Sequence, residues 1–286
     1  MSEARIHQLG YRSYEGPRLG VGSAVMSTAR HAFRSLLGVR RGVFAKLVTL
    51  ATALLAYVPA VVLAGLAILI PQQLIEMGLP GPSDFLGFTI TALVLFVSLG
   101  SPVVLCPDRR HGTIALYLAS PLNRDTYLLG RAIAVFAFLA IVTIGPTLLL
   151  LFALEMVGQG SGFIGLLGDA GRAIAAGTVL GLLFTCVSLA ISSLTDRQST
   201  AAAFTILFLF GSLVVSGILI EGLDVTPTVG LANVVFVGLE AAVRWNGETG
   251  ELGHLPTWQV ALAWAAWAGG TAAFVRWRYR HVEVTR

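Results

Sequence analysis

The chain has 286 residues, of which 56% are hydrophobic and only 12% are charged, with 19 Lys and Arg against 15 Asp and Glu. Soluble domains carry about 25% charged residues, so this composition excludes a chain covered by water on every side, a disordered chain and a coiled coil. Two cysteines exclude a disulfide framework and a zinc cluster. The basic residues do not cluster on a soluble domain, which argues against nucleic-acid binding. Continuous apolar runs predict an all-α integral membrane protein.

The N-terminal 46 residues are mostly polar and are expected to form an arm outside the membrane. Within this arm, residues 23–46 are typical of an amphipathic helix, because at 100° per residue their apolar side chains fall on one arc. We expect this helix to lie in the membrane interface, with arginines reaching lipid phosphates; the alternative is a soluble helix packed on a partner. The arc contains Val25, Ala29, Phe33, Leu36, Leu37, Val39 and Val43.

Six apolar stretches are long enough to cross the hydrocarbon core, which takes about 20 residues. None of them contains Asp, Glu, Lys, Arg or His. Together they predict one six-helix membrane domain over residues 47–276, followed by a basic tail at residues 277–286. The predicted spans are Leu47–Ile70, Phe85–Leu105, Ala132–Leu154, Ala173–Leu194, Gln198–Ile220 and Thr257–Val275.

The distribution of basic residues predicts the orientation of the spans. All but two of the 19 Lys and Arg residues lie in the N-terminal arm, the loops after spans 2 and 4, and the C-terminal tail; the exceptions are Arg172 and Arg244. Cytoplasmic loops carry the excess of Lys and Arg. Both termini are therefore expected in the cytoplasm of a multi-pass protein of the plasma (inner) membrane.

Small residues recur every fourth position in two spans, a spacing that lets another helix approach closely. We expect both stripes to pack within the chain. They are Ala173, Gly177, Gly181 and Thr185 in span 4, and Ala261, Ala265, Gly269 and Ala273 in span 6.

The loop between spans 5 and 6 contains a second apolar stretch, residues 231–243, which is too short to cross a membrane. We expect it to be a re-entrant or interfacial segment on the outer side. Span 5 itself carries Thr205, Ser212 and Ser216. These hydroxyls either line a translocation path or make ordinary interhelical hydrogen bonds, and the sequence supports the two interpretations about equally.

The loop between spans 2 and 3, residues 106–131, is charged at both ends and apolar in its centre. Gly112-Thr113 can start a short helix with the Thr113 hydroxyl as the N-cap acceptor, Ser120-Pro121 can end it, and Asn123 can cap the next helix. A short helix of this kind, exposed outside the membrane with apolar side chains, needs a surface against which to bury them.

This loop resembles the signature loop of ABC-2 type transporter permeases, the membrane-spanning subunits of ABC exporters. The resemblance rests on an acidic and a basic residue followed by Gly-Thr, a Leu-rich turn, Ser-Pro-Leu and a Leu-Gly-basic end. It extends to the tight turn around Asp196-Arg197 between spans 4 and 5. One departure is basic Arg110, at a position where an acid is frequent. The matching loop residues are Asp108, Arg109, Gly112, Thr113, Leu116, Leu118, Ser120, Pro121, Leu122, Asn123, Arg124, Leu128, Leu129, Gly130 and Arg131.

The resemblance implies a division of labour between subunits. Two permease subunits would pair as a homodimer or heterodimer, each docked on one of two copies of a cytoplasmic ABC ATPase subunit that holds ATP and magnesium. The N-terminal amphipathic helix would be the elbow helix, and the loop after span 2 would carry the coupling helix. The implied ATPase-coupling residues are Asp108, Arg109, Arg110, Gly112, Thr113, Leu116, Tyr117, Leu118 and Pro121.

The residues themselves agree with that division. A phosphate-binding P-loop needs Gly-Lys before Ser or Thr, but the only lysine, Lys46, follows Ala45 and precedes Leu47. The chain is thus expected to be no enzyme and to hold no cofactor, with the ATP-derived work arriving through a partner. We expect it to export an apolar or amphipathic substrate such as a drug, a lipid or a lipid-linked molecule. The alternatives are a membrane anchor for an ATPase, and a channel or sodium-coupled carrier.

Overall fold

The computed structural model describes residues 16, 20–39, 41–69, 82–158, 160, 162–222 and 226–281, so most of the first 19 residues of the N-terminal arm and the last five residues of the basic tail lie outside it. Every regular element in the described residues is helical. A 3₁₀ turn at Ser101–Val104, a π turn at Ile218–Gly222 and a second 3₁₀ turn at Pro227–Ala232 join some of the helices. The α-helices are α1 (Val21–Leu36), α2 (Val43–Leu69), α3 (Pro82–Leu99), α4 (Cys106–Arg110), α5 (Ile114–Leu118), α6 (Arg124–Met156), α7 (Gly162–Ser192), α8 (Gln198–Gly217), α9 (Val234–Trp245) and α10 (Thr257–Arg280).

Five stretches of helix in the described residues are long and apolar enough to cross a membrane, and they coincide with the first five predicted spans. The sixth predicted span forms α10, whose 24 residues are long enough to cross. Four tryptophans, three arginines and a Gly-Gly pair make α10 less apolar than the other five. The five stretches are Val43–Ala67, Phe85–Arg110, Arg124–Met156, Gly162–Ser192 and Gln198–Ile220.

The predicted helix over residues 23–46 is two elements, because the chain turns after α1. Gly38 adopts a positive φ of 73°, and its N–H donates to the carbonyl of Ser35 at 3.1 Å while the N–H of Val39 donates to that of Arg34 at 3.1 Å. This is the Schellman arrangement that ends a helix. Helix α2 begins at Val43, so the prediction of one helix continuing to Lys46 was wrong.

The apolar side of α1 packs against α6 of the same chain. Val25, Ala29 and Ala32 are buried, and a Cβ placed at Gly130 of α6 would lie 3.1 Å from the carbonyl oxygen of Val25. The two helices approach this closely because residue 130 is a glycine and has no side chain. The buried part of the apolar arc is covered by protein, and the location of this helix in the membrane interface stays a prediction.

The core of the membrane domain lies between α3, α6, α7 and α9. The ring of Phe96 in α3 stacks on that of Phe138 in α6, with 3.8 Å between their centroids. Leu180 and Phe184 of α7 are fully buried beside them. Helix α3 therefore sits at the centre of the domain, with α2 on one side and α8 on the other.

The small-residue stripe of α7 packs within the chain, as predicted. A Cβ at Gly177 would lie 2.5 Å from Cγ1 of Ile144 and 3.0 Å from Oγ1 of Thr143 in α6. The prediction was wrong for α10, where all four residues of the stripe are exposed. Sequence spacing alone does not say which side of a helix meets a neighbour.

The apolar segment before α10 forms α9, a helix of 12 residues and about 18 Å, too short to cross a membrane. The carboxylate of Glu240 accepts hydrogen bonds from Nε of Arg244 (2.8 Å) and from the N–H groups of Gly250 (3.0 Å) and Leu252 (3.1 Å). Arg244 in turn donates to the carbonyls of Leu252 (3.0 Å) and Leu255 (2.7 Å). This buried ion pair holds the loop before α10 against α9.

Candidate functional site

The predicted functional loop lies at one end of the helical domain, where most of the described arginines are located. We call this the arginine-rich end. It is formed by α4, α5, the start of α6, the turn between α7 and α8, and the end of α10. The tight turn at Gly112, whose φ is 64°, separates α4 from α5. This turn lets α5 project from the helical domain.

Asp108 in α4 is the central acceptor of the site. Its carboxylate pairs with the guanidinium of Arg131 in α6. It also accepts hydrogen bonds from the hydroxyl groups of Tyr127 (2.5 Å) and Thr113 (3.1 Å). The side chain of Arg131 is only 4% exposed and that of Asp108 15% exposed. Because a buried arginine needs a counter-charge, this pair ties α4 to α6.

The hydroxyl of Thr113 differs from its predicted role. Thr113 does occupy the N-cap position of α5, but its side chain accepts no bond from the helix and donates to Asp108 instead. The predicted cap of α6 is confirmed: Asn123 and Thr126 form a capping box, with 2.8 Å in both directions.

Tyr117 faces inward from α5. Its ring lies 5.3 Å from that of Tyr127, and the guanidinium carbon of Arg131 lies 5.0 Å from its centroid. An arginine over an aromatic face gains cation–π attraction in addition to its ion pair. Tyr117 thus connects α5 to the ion pair rather than offering its ring to a partner.

Arg109 connects α4 to the turn between α7 and α8. Its guanidinium donates to the carbonyls of Ser193 and Thr195, the latter at 3.5 Å. From α10, Nε of Arg278 donates to the same Ser193 carbonyl at 2.6 Å. Two cations thus meet the carbonyls at the end of α7, where the helix dipole is negative.

A second set of contacts joins the start of α6 to the end of α10. Arg124 donates to the carbonyls of Tyr279 (3.0 Å) and Arg280. Asp125 pairs with Arg276 through two bonds of 3.0 and 2.8 Å and with Arg280 at 3.4 Å. The N-terminus of α6 is therefore held by both α4 and α10.

The outward surface of α5 is small and mostly apolar. Leu116 is 76% exposed, and Ala115, Ala119, Ser120 and Pro121 around it are also exposed. We call these five residues the α5 tip. The tip is accessible to another molecule.

The structure thus divides the predicted coupling residues into exposed residues and residues with contacts inside the chain. Leu116 and Pro121 belong to the α5 tip, and Arg110 is exposed beside it at the end of α4. Leu118 is half-buried and packs on the core. The other residues, Asp108, Arg109, Thr113 and Tyr117, make contacts within the chain, and Gly112 makes the turn.

Two residues central to the site, Arg131 and Tyr127, were absent from the predicted coupling residues. Arg131 was recognised only as the basic end of the loop motif. A basic residue one position after Gly130, at the start of a predicted apolar span, was the available signal, because a charge at that depth needs a partner.

The hydroxyl residues of span 5 lie mostly inside the subunit. Thr205 and Ser216 are buried, and Thr205 donates to the carbonyl of Ala201 at 2.9 Å. Ser212 is half-buried and donates to Leu209 at 2.9 Å. The exposed side of α8 is apolar instead.

A family model described as ABC-2 family transporter protein matches residues 66–237. The chain belongs to the ABC-2 transporter family. The match spans most of the membrane domain and includes all of α4, α5 and α6. This membership together with five apolar helices makes the chain a multi-pass membrane transport subunit. No curated protein matches it at a significant level.

Proposed function

We propose that the chain is the permease subunit of an ATP-binding cassette exporter, driven by a separate ATPase subunit that docks on the α5 tip. The observation that carries this proposal is the combination of an exposed leucine, Leu116, with a buried attachment directly behind it. An exposed apolar tip supplies binding energy when it is covered. Family membership supports the transport role.

The contacts behind the tip suggest how its displacement would reach the membrane. Tyr117 and Asp108 link α5 and α4 to Arg131 of α6, and Arg109 links α4 to the end of α7. A tip pushed by closure of the ATPase pair, which binds ATP and magnesium, would therefore move α6 and α7 together. Rigid displacement of packed helices is a common route for such switching.

The proposed topology has six spans, with α10 as the sixth and the arginine-rich end in the cytoplasm. Helix α10 is about 36 Å long. The basic residues that terminate it, together with those of α4 and α6, favour the cytoplasmic side. Both termini then lie in the cytoplasm of the plasma (inner) membrane, and α9 lies on the outer side.

Two copies of the chain would meet through α2 and α8. Only 28% of the apolar stretch of α2 and 17% of that of α8 is buried, against 67% for the stretch containing α3 between them. Each presents a stripe of exposed apolar residues at helical spacing, which suits a helix–helix interface. The stripes are Leu47, Leu50, Leu54, Val58 and Val61 in α2, and Leu207, Phe210, Val214 and Ile218 in α8.

The substrate proposed for this exporter is apolar or amphipathic, such as a drug, a lipid or a lipid-linked molecule. The exposed sides of α2 and α8 that would border the path between two copies are apolar. A molecule entering from the inner leaflet would lose little solvation there.

The test of this function replaces Leu116 with glutamate. We expect Leu116→Glu to lose co-purification with the ATPase subunit and ATP-dependent efflux from vesicles, because a desolvated charge opposes docking. Leu116→Met preserves volume and should keep both activities. Leu194→Glu, at another exposed leucine of the same end, is the positional control and should also keep them.

Each alternative function has its own outcome in this experiment. Full docking and efflux by Leu116→Glu would reject the α5 tip as the contact. ATP hydrolysis stimulated by the wild-type chain without solute movement would favour a membrane anchor. Solute movement by the purified chain alone would favour a channel or carrier.

A further inference from the structure

A cleft of about 250 Å³ opens between α6, α7 and α10 near the arginine-rich end. Its walls are almost entirely apolar and include Leu129 of α6, Cys186 and Leu189 of α7, and Ala272 of α10. It lies apart from the α5 tip and from the exposed stripes of α2 and α8. An apolar cleft of this kind accepts an alkyl chain by burying its surface.

Charged residues form a rim at one end of the cleft. Asp125 and Arg276 belong to its lining, and Arg280 joins them through its ion pair with Asp125. Two guanidinium groups thus share one carboxylate, and all three side chains are about half exposed. Each guanidinium has five N–H donors, so donors remain for a further anion, and the rim carries a net positive charge.

The tryptophans of α10 indicate the depth of this rim in the membrane. Trp258 and Trp277, at opposite ends of α10, are 64% and 58% exposed. Nineteen positions separate them, which corresponds to about 28 Å along a helix. That distance matches the hydrocarbon core of about 30 Å, whose two borders attract exposed tryptophans. Arg276, next to Trp277, then lies at the headgroup layer and the cleft lies in the hydrocarbon beneath it.

We propose that the cleft binds an anionic phospholipid of the leaflet at the arginine-rich end. One acyl chain lies against Leu129, Leu189 and Ala272, and the headgroup is held by Arg276 and Arg280. A molecule with an alkyl chain directly below an anionic group is what an apolar cleft beneath a cationic rim recognises. This lipid is a resident of the subunit and is separate from any exported substrate.

Native mass spectrometry of the purified full chain tests the proposal. The chain is delipidated in detergent and titrated with phosphatidylglycerol or phosphatidylcholine of identical acyl chains. We expect retention of phosphatidylglycerol to exceed that of phosphatidylcholine by roughly fivefold, the scale of an exposed charge interaction. Equal retention of the two lipids would overturn the assignment of an anionic headgroup.

Three variants locate the bound lipid. Ala272→Trp fills the cleft and should lose most of the retained phosphatidylglycerol, whereas Ala266→Trp, on an exposed part of α10 outside the lining, should retain it. Arg276→Gln combined with Arg280→Gln should abolish the preference between lipids while leaving the chain monodisperse on gel filtration. Unchanged retention in Ala272→Trp would overturn the cleft as the site.

A second copy of the chain is the competing occupant of this cleft. If Ala272→Trp dissociated a dimer and no lipid were retained by the wild-type chain, the cleft would be a subunit interface and the proposal would fail. None of these measurements uses the ATPase subunit. Their failure would leave the proposed export function untouched.

Discussion

Asp108 shows how a single carboxylate organises the candidate site. It joins Arg131 and Tyr127 of α6 to Thr113 at the start of α5. The sequence predicted Asp108 and Thr113 as functional because they match a loop motif. It did not predict that Arg131 is the counter-charge, because the choice of partner among nearby arginines depends on which helix packs behind the loop.

Removing the charge of Asp108 should destabilise the subunit. We expect Asp108→Asn to cost about 3 kcal/mol, because Arg131 would remain buried without a counter-charge. The fall in the apparent midpoint of thermal unfolding in detergent measures this. The double variant Asp108→Asn with Arg131→Met removes both charges and should recover more than half of the loss. Equal midpoints for the single variant and the wild type would contradict the pairing.

The buried pair of Glu240 and Arg244 makes a different prediction at the residue scale. Glu240→Gln should release the loop before α10, because the bonds to Gly250 and Leu252 weaken when the carboxylate loses its charge. Limited digestion with a glutamate-specific protease should then cleave faster after Glu251. Glu248→Gln changes an exposed side chain and serves as the control, which should leave cleavage after Glu251 at the wild-type rate.

At the scale of elements, the spans were predicted well and their buried faces only in part. Apolar length and the absence of charge are local properties of a segment, and they placed α2, α3, α6, α7 and α8 correctly. Which side of a helix is buried depends on its neighbours. The small-residue stripes of α7 and α10 have the same spacing, yet only that of α7 meets another helix.

The contact between α6 and α7 should be sensitive to a single methyl group. Gly177→Ala should destabilise the subunit by about 1–3 kcal/mol, because its Cβ would overlap Ile144. Gly171→Ala is the matched control on the same helix, since a Cβ there meets nothing within 4 Å. It should be neutral or slightly stabilising through helix propensity. Thermal unfolding of the two variants in one detergent compares them, and equal midpoints would argue against the close packing.

At the scale of the whole molecule, the uneven burial of the spans is the main feature. Helix α3 is central, whereas α2 and α8 on either side of it expose apolar stripes. A second copy that covered these stripes would create the interface along which a substrate moves. Helix α10, which also has an exposed stripe, packs mainly on α7 and α9 and not on α2.

Cysteine cross-linking tests the proposed pairing of copies. In a variant without Cys106 and Cys186, we expect Leu207→Cys in α8 to form a disulfide-linked dimer on mild oxidation, because cross-linking needs Cα atoms within about 7 Å. Leu262→Cys, at an exposed position on α10, should form no disulfide-linked dimer. Cross-linking through Leu262→Cys instead would place the interface on α10.

The amino-acid sequence by itself determined that this chain is a helical membrane protein, which of its ends collects the arginines, and which loop is unusual. These properties follow from composition and short-range order, since a span is recognised by its own twenty residues. Only the tertiary structure decided that the loop is attached through Asp108 to Arg131 and through Arg109 to Ser193, and that the α5 tip remains exposed. Partners as far apart as Arg109 and Arg124 are from Ser193 and Arg280, 84 and 156 positions away, are brought together by packing. A charge or polar group is buried without a large free-energy cost only where the folded helices supply its partner.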